Sequence, residues 1–129
     1  MSDINNYIIV GGTSGIGLAT ADYLRDIGNN VIVGSRHERK EIAHDFIPVD
    51  VTSIKSVNAF FREINNRGES VDGLVYSVGK TTNRKPINEF DEDIWKQIVE
   101  VNVTGFLRML KVFYPLLKHC SSKVVVVNS

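Results

Sequence analysis

Apolar residues fall along this chain in two rhythms. Five short runs, at residues 7–10, 31–35, 46–51, 73–77 and 124–127, are bounded by Gly, Asn, Asp or Ser and have the length and β-branched character of strands. Between them, apolar positions recur at helical spacing. Ala19, Leu24 and Ile27 form one stripe, within a helix that Gly28-Asn29-Asn30 should stop. Ile54, Val57, Phe60, Phe61 and Ile64 form a second, capped by Thr52 or Ser53 and ended near Arg67 by Gly68. Ile94, Ile98, Val101, Phe106, Leu110 and Phe113 form the face of one long helix that starts at Asp91 or Asp93, is kinked by Pro115 and breaks at Ser121-Ser122. Residues 36–45 leave room for one or two helical turns at most, and residues 79–86 read as a polar loop. The valine run at 124–127 lacks a polar face, which predicts a buried fifth strand.

Strands alternating with helices imply an α/β fold with a doubly wound parallel sheet. Right-handed crossovers on both sides of the first strand give the order 3-2-1-4-5, with a crevice between strands one and four, where the order reverses. A glycine turn after strand one, Arg36, Asp50, Gly79 and Ser129 all fall at or just after strand ends, on one edge of that sheet.

The glycine turn is the most specific of these. In Gly11-Gly12-Thr13-Ser14-Gly15-Ile16-Gly17, an apolar strand runs into a helix start. Gly11 can take a turn dihedral, Gly15 lets a ligand approach the backbone, and Gly17 lets the helix pack closely on the strand. Around Thr13, Ser14 and Ile16, backbone N–H groups without helical partners then face an anion.

Composition narrows the partners. At 129 residues and 43% hydrophobic, the chain suits a single domain, residues 1–129. Fifteen basic residues balance fifteen acidic ones, so no global field favours nucleic acid or an anionic membrane, and an anion site must be local. The first six residues are polar without a basic start, and no apolar run approaches a membrane span, so a cytoplasmic location is expected. Cys120 is the only cysteine, and His37, His44 and His119 are scattered. No disulfide or metal site is therefore expected, and the histidines are expected at the surface.

The spacing Gly-x-x-x-Gly-x-Gly in residues 11–17 resembles that of the short-chain dehydrogenase/reductase family, NAD(P)-dependent oxidoreductases on a Rossmann-type fold. One departure is visible: Val10 stands where the family usually has a threonine whose hydroxyl braces the turn. At the end of strand two the chain has Ser35-Arg36 in place of a carboxylate. A carboxylate there would accept from the 2′-OH of NAD, whereas arginine suits the 2′-phosphate of NADP, so NADP(H) is favoured over NAD(H). The alternative is a solvated loop, given Glu38 and Glu41 nearby. Asp50-Val51 resembles the family's acidic-apolar pair, with Asp50 accepting from the adenine amino group; Asp50 could equally begin a turn or cap the next helix. In Leu74-Val75-Tyr76-Ser77-Val78-Gly79, only Gly79 matches the family's Asn-Asn-Ala-Gly.

Asn102 matches the family's active-site asparagine, which holds a water in a proton relay; the other reading is a core asparagine bonded to backbone. Ser129 falls about where the family places its catalytic serine, although serines also commonly end strands. The family's Tyr-x-x-x-Lys should follow on the next helix, beyond residue 129. Two literal matches come earlier. Tyr76 and Lys80 lie in a strand and its loop, and Tyr114 and Lys118 lie three turns past Asn102, where core packing explains Tyr114 better. The resemblance thus implies the cofactor-binding part of an oxidoreductase, truncated after the fifth strand and inactive alone. It implies hydride transfer between NADP(H) and a small carbonyl or alcohol substrate, and a homo-oligomer for the full-length protein. Two other readings are a nucleotide-binding or partner-binding module without catalysis, and a degenerate relative whose fifth strand lies at an open edge.

Overall fold

The computed structural model describes residues 3–119 and 121–127. Its strands are β1 (Asn6–Val10), β2 (Asn30–Ser35), β3 (Asp45–Pro48), β4 (Gly73–Tyr76) and β5 (Lys123–Val126). They pair in parallel in the order β3-β2-β1-β4-β5, as the alternating pattern predicts. Register aligns Ile8 with Ile32 on one side and Leu74 on the other, so apolar positions form continuous rows across the sheet. Alternation along β1 sends Ile8 and Val10 to one face and Ile9 to the other.

Both faces are covered. Helix α1 (Gly15–Asp26) lies over Ile9, Val31, Val33 and Val75 and contributes Ala21. Helices α2 (Ile54–Asn66) and α4 (Gly105–Leu117) cover the other face, where Phe113 packs against Phe60 and edge-on against Phe61, with ring centroids 5.7 and 5.3 Å apart. Local chemistry accounts for the ends of these elements. Ser53 rather than Thr52 caps α2, accepting from the Ser56 N–H at 3.2 Å. Asp91 rather than Asp93 caps α3 (Glu92–Val99), accepting from the N–H groups of Asp93 and Ile94. Gly28 and Gly68 follow α1 and α2 with φ of +100° and +70°, the left-handed conformation that ends a helix readily at glycine. No helix among the described residues is long and apolar enough to cross a membrane.

Several expectations are corrected. In α1 the buried positions are Gly17 and Ala21, while Ala19 and Ile27 are exposed, because close contact of Gly17 with the preceding turn sets the rotation of the helix. Ile54, at the first turn of α2, is also exposed. The long third helix runs unbroken from Glu92 to Leu117, but not with one register. A π-helical turn, Glu100–Thr104, separates α3 from α4, and α4 runs on through Pro115. Tyr114 is 62% exposed with Lys118 Nζ over its ring, so it is not a core residue. β5 is exposed along its whole length, at the edge of the sheet, with β4 as its one strand neighbour among the described residues. His44 is not a surface residue: its side chain is 2% exposed and its Nε2 lies 2.7 Å from Asp22 Oδ1, tying the β2–β3 crossover to α1. Residues 36–44 form no helix, within the limit of one or two turns that their number sets.

Gly17 packs less on strand β1 than on the turn that follows it. A Cβ at this position would sit 2.1 Å from the Gly11 carbonyl oxygen and 3.2 Å from Gly12 Cα, both backbone atoms that cannot rotate away. Gly17→Ala should destabilise the ligand-free protein by about 1–3 kcal/mol, the usual cost of overpacking. Urea unfolding of both proteins measures this, and an unchanged midpoint would show that the turn yields freely.

Candidate active site

The C-terminal ends of β1, β2, β3 and β4 border a cleft of about 820 Å³. Gly11, Thr13, Ser14, Ser35, Arg36, Asp50, Val51 and Gly79 all line it, so most of the sequence candidates meet in one place. Gly15, Ile16, Gly17 and Asn102 stand outside that lining, and Ser129 lies outside the described residues. A second cleft, of about 320 Å³ at the opposite sheet edge, is lined by Asn30, His44 and Arg67 among others and contains none of the candidates.

The glycine turn is braced by backbone. The Gly11 N–H donates to the Gly34 carbonyl at 2.7 Å, so the missing hydroxyl at Val10 does not leave the turn unsupported. Gly11 has φ +85°, and a Cβ there would meet the Ser77 carbonyl oxygen at 2.5 Å, so β4 and its loop pass directly against this turn. Ser14 is the extended residue before α1 and its hydroxyl caps nothing, leaving the first-turn N–H groups without side-chain acceptors. Gly15 also faces open space, as a ligand approach requires, but its φ is +54°. Alanine there would therefore strain the ligand-free protein as well, by about 1–2 kcal/mol.

On the β2 side, Thr13 Oγ1 donates to Ser35 Oγ at 3.3 Å and Ser35 Oγ donates to the His37 carbonyl at 2.9 Å. Arg39 reaches the Thr13 carbonyl at 3.1 Å and pairs with Glu41 at 2.8 Å. Arg36, by contrast, lines the cleft and makes no hydrogen bond or ion pair among the described residues. Across from it, Asp50 Oδ1 accepts from the Thr52 hydroxyl at 2.6 Å and the Thr52 N–H at 2.9 Å, a turn at the head of α2. Its other oxygen is left free of protein donors among the described residues. The Thr52 hydroxyl first, then its N–H, hold the Asp50 carboxyl below its usual pKa of 3.8, with Arg36 and Arg108 adding to the effect.

Asn102 sits in the π-helical turn. It is bonded to backbone but is not a core residue: Oδ1 accepts from the Lys80 N–H at 2.7 Å and Nδ2 donates to the Lys80 carbonyl at 2.9 Å. In the first of the two Tyr-x-x-x-Lys matches, the side chains have separate partners. Tyr76 is buried with its hydroxyl on the Val101 carbonyl, and Lys80 Nζ is held at 2.6 Å by Gln97 Oε1.

A family model for short-chain dehydrogenases matches residues 5–129. The chain belongs to the short-chain dehydrogenase family. An uncharacterised oxidoreductase of Schizosaccharomyces pombe is 28% identical over an alignment covering 100% of this chain and 56% of the relative. Among solved structures, the aldohexose dehydrogenase of Thermoplasma acidophilum in ligand-free form superposes with a TM-score of 0.87 at 29% identity, covering 98% of this chain and 49% of that one. An alcohol dehydrogenase from Thermococcus sibiricus, complexed with 5-hydroxy-NADP, gives a TM-score of 0.84 at 26% identity, covering 96% and 57%. The chain spans about half the length of the curated relatives it matches. Within a short-chain dehydrogenase pattern, Tyr76 and Ser77 stand in place of two asparagines.

Sequence reasoning set Lys80 aside and missed Gln97 and Glu100 in the cleft lining, together with Arg108, which pairs with Glu100. Arg108 donates to the Val51 carbonyl and, at 2.7 Å, to Glu100 Oε1, stitching α4 to the loop after β3. Its charge in an otherwise apolar helix stretch was the available signal. At Asp50 the hydroxyl bond makes a pH prediction. A depressed carboxyl pKa contributes stability above its unfolded value and loses it as pH falls through the folded value. Thr52→Val removes the larger cause, so the Asp50 pKa should rise toward 3.8 and its share of acid-limb stability should shrink. An NMR titration of the Asp50 carboxyl checks this; an unshifted pKa in the variant would contradict the assignment.

Proposed function

We propose that this chain forms the dinucleotide-binding part of an NADP(H)-dependent carbonyl reductase or alcohol dehydrogenase. One observation carries the reading: a glycine turn, an arginine, a carboxylate and an open glycine from four separate strand ends converge on one cleft where the strand order reverses. The residues fit such a cofactor. Uncapped N–H groups at the start of α1, with open space at Gly15, suit a pyrophosphate. The free oxygen of Asp50 suits the adenine amino group. Gly79, beside which a Cβ would meet nothing, leaves room for the nicotinamide end.

Arg36 sets the cofactor preference. Glu41, which tempers the charge of this loop, is occupied by Arg39, so the guanidinium of Arg36 is left for a phosphate and can grip it with two parallel N–H bonds. Ser35 contributes no negative charge against that phosphate. When bound, the nicotinamide supplies or accepts the hydride exchanged with a small carbonyl or alcohol. Asn102 positions the Lys80 backbone at the mouth of the cleft, and Ser129 has the oxygen-stabilising role that the family resemblance implies.

Fluorescence titration of NADPH and NADH against this chain and Arg36→Ala tests the reading. Loss of one charge-assisted phosphate contact should weaken NADPH by about 1.5–3 kcal/mol and leave NADH nearly unchanged. Equal losses would remove Arg36 from the phosphate site, and absence of binding by the parent would remove the dinucleotide reading itself.

A further inference from the structure

The π-helical turn has a support that lies on the sheet. Tyr76 ends β4 with 1% of its surface exposed, and its hydroxyl donates to the Val101 carbonyl at 2.5 Å. In a regular helix that carbonyl would accept from the Gly105 N–H; here the Gly105 N–H donates to Glu100 instead, one residue further back. The phenol therefore satisfies the acceptor that the wide turn sets free. It reaches that acceptor across a glycine, because a Cβ at Gly105 would lie 2.6 Å from the Tyr76 hydroxyl oxygen. Burial pushes the phenol pKa well above its usual value, so the group remains a donor through neutral and mildly alkaline pH.

One residue beyond Val101, the Asn102 side chain holds both the N–H and the carbonyl of Lys80. On its other side the same loop is wedged against the glycine turn, where Ser77 donates its N–H to the Val10 carbonyl at 2.8 Å. Val101, Lys80 and Ser77 all line the cleft. We propose that Tyr76 is a positioning residue: its hydroxyl holds the π-helical turn open, and through Asn102 that turn fixes residues 77–80 against the cleft. Without the hydroxyl, the Val101 carbonyl is a part-buried acceptor lacking its protein partner, and the turn recovers a bond by relaxing to α-helical register. That relaxation rotates Asn102 by about 100° relative to one side of the helix and takes it off Lys80. The identity of the cleft's occupant rests on the dinucleotide reading above; the role of Tyr76 does not.

Tyr76→Phe in the 129-residue chain tests the proposal by amide hydrogen exchange at Lys80, whose N–H is donated to Asn102. Exchange at Lys80 should speed up by about tenfold, as it should in Asn102→Ala, while exchange at Ile9 in β1 stays at the parent rate. The double variant should add little to either single one, since both break the same path. In the parent, the Tyr76 hydroxyl proton should give an NMR signal protected from solvent. Parent-like protection of Lys80 in Tyr76→Phe, or an equal loss at Ile9, would overturn the proposal, as would a freely exchanging Tyr76 hydroxyl. NADPH affinity, measured alongside, should fall several-fold in Tyr76→Phe. If the parent binds no NADPH, the dinucleotide reading fails while the exchange result still decides Tyr76.

Discussion

Backbone meets backbone where α1, β1 and β4 converge, and the cleft depends on that contact. The turn after β1 folds back so closely that the start of α1 touches Gly11, while Gly11 itself lies against the carbonyl of Ser77. Side chains are excluded at both contacts, so glycine at 11 and 17 is a steric requirement rather than a preference. The result is a rigid junction at the reversal point of the sheet, from which the N–H groups of the first helical turn point outward. Arg36 and Asp50 reach the same space from β2 and β3 because parallel register places the ends of all four strands together.

A second junction faces the first across the cleft. Gly105 lets α4 approach Tyr76 and Val51, Tyr76 completes the hydrogen bonding of the widened turn, and Arg108 ties the loop after β3 to Glu100. These groups are polar, yet among the described residues no buried side-chain nitrogen or oxygen lacks a partner. A fully paired polar cluster beside a cleft is rigid, which suits a site that must present fixed donors and acceptors. The amide oxygen of Gln97, rather than a carboxylate, accepts from Lys80 Nζ at the cleft rim, where Lys80 has no acidic partner among the described residues.

Much of the architecture was legible because it depends on local chemistry. Alternating strand and helix periods gave the sheet order, Gly28 and Gly68 marked helix ends by their positive φ, and the chain order of glycine turn, Arg36, Asp50 and Gly79 located the cleft. What escaped depends on distant partners. The π-helical turn needs a donor from β4, 25 residues away in sequence. The His44 side chain is covered where it meets Asp22 of α1, and no periodic signal records such a pair. Tyr114 and the valines of β5 share the apolar character of core residues, and their exposure follows from where helix and strand sit rather than from composition. Asn102 was identified by its surroundings, but the partners of its side chain lie in the loop after β4 and could be seen only in three dimensions.

The most direct test of the cleft is a map of backbone amide shifts as NADPH is added to the isotopically labelled chain. Saturable changes are expected at residues 11–16, 35–36, 50–52 and 79–80, with none at Asn30, His44 and Arg67 around the cleft on the opposite edge of the sheet. Changes centred on that opposite edge, or no saturable change at all, would contradict the assignment of the glycine-turn cleft as the dinucleotide site.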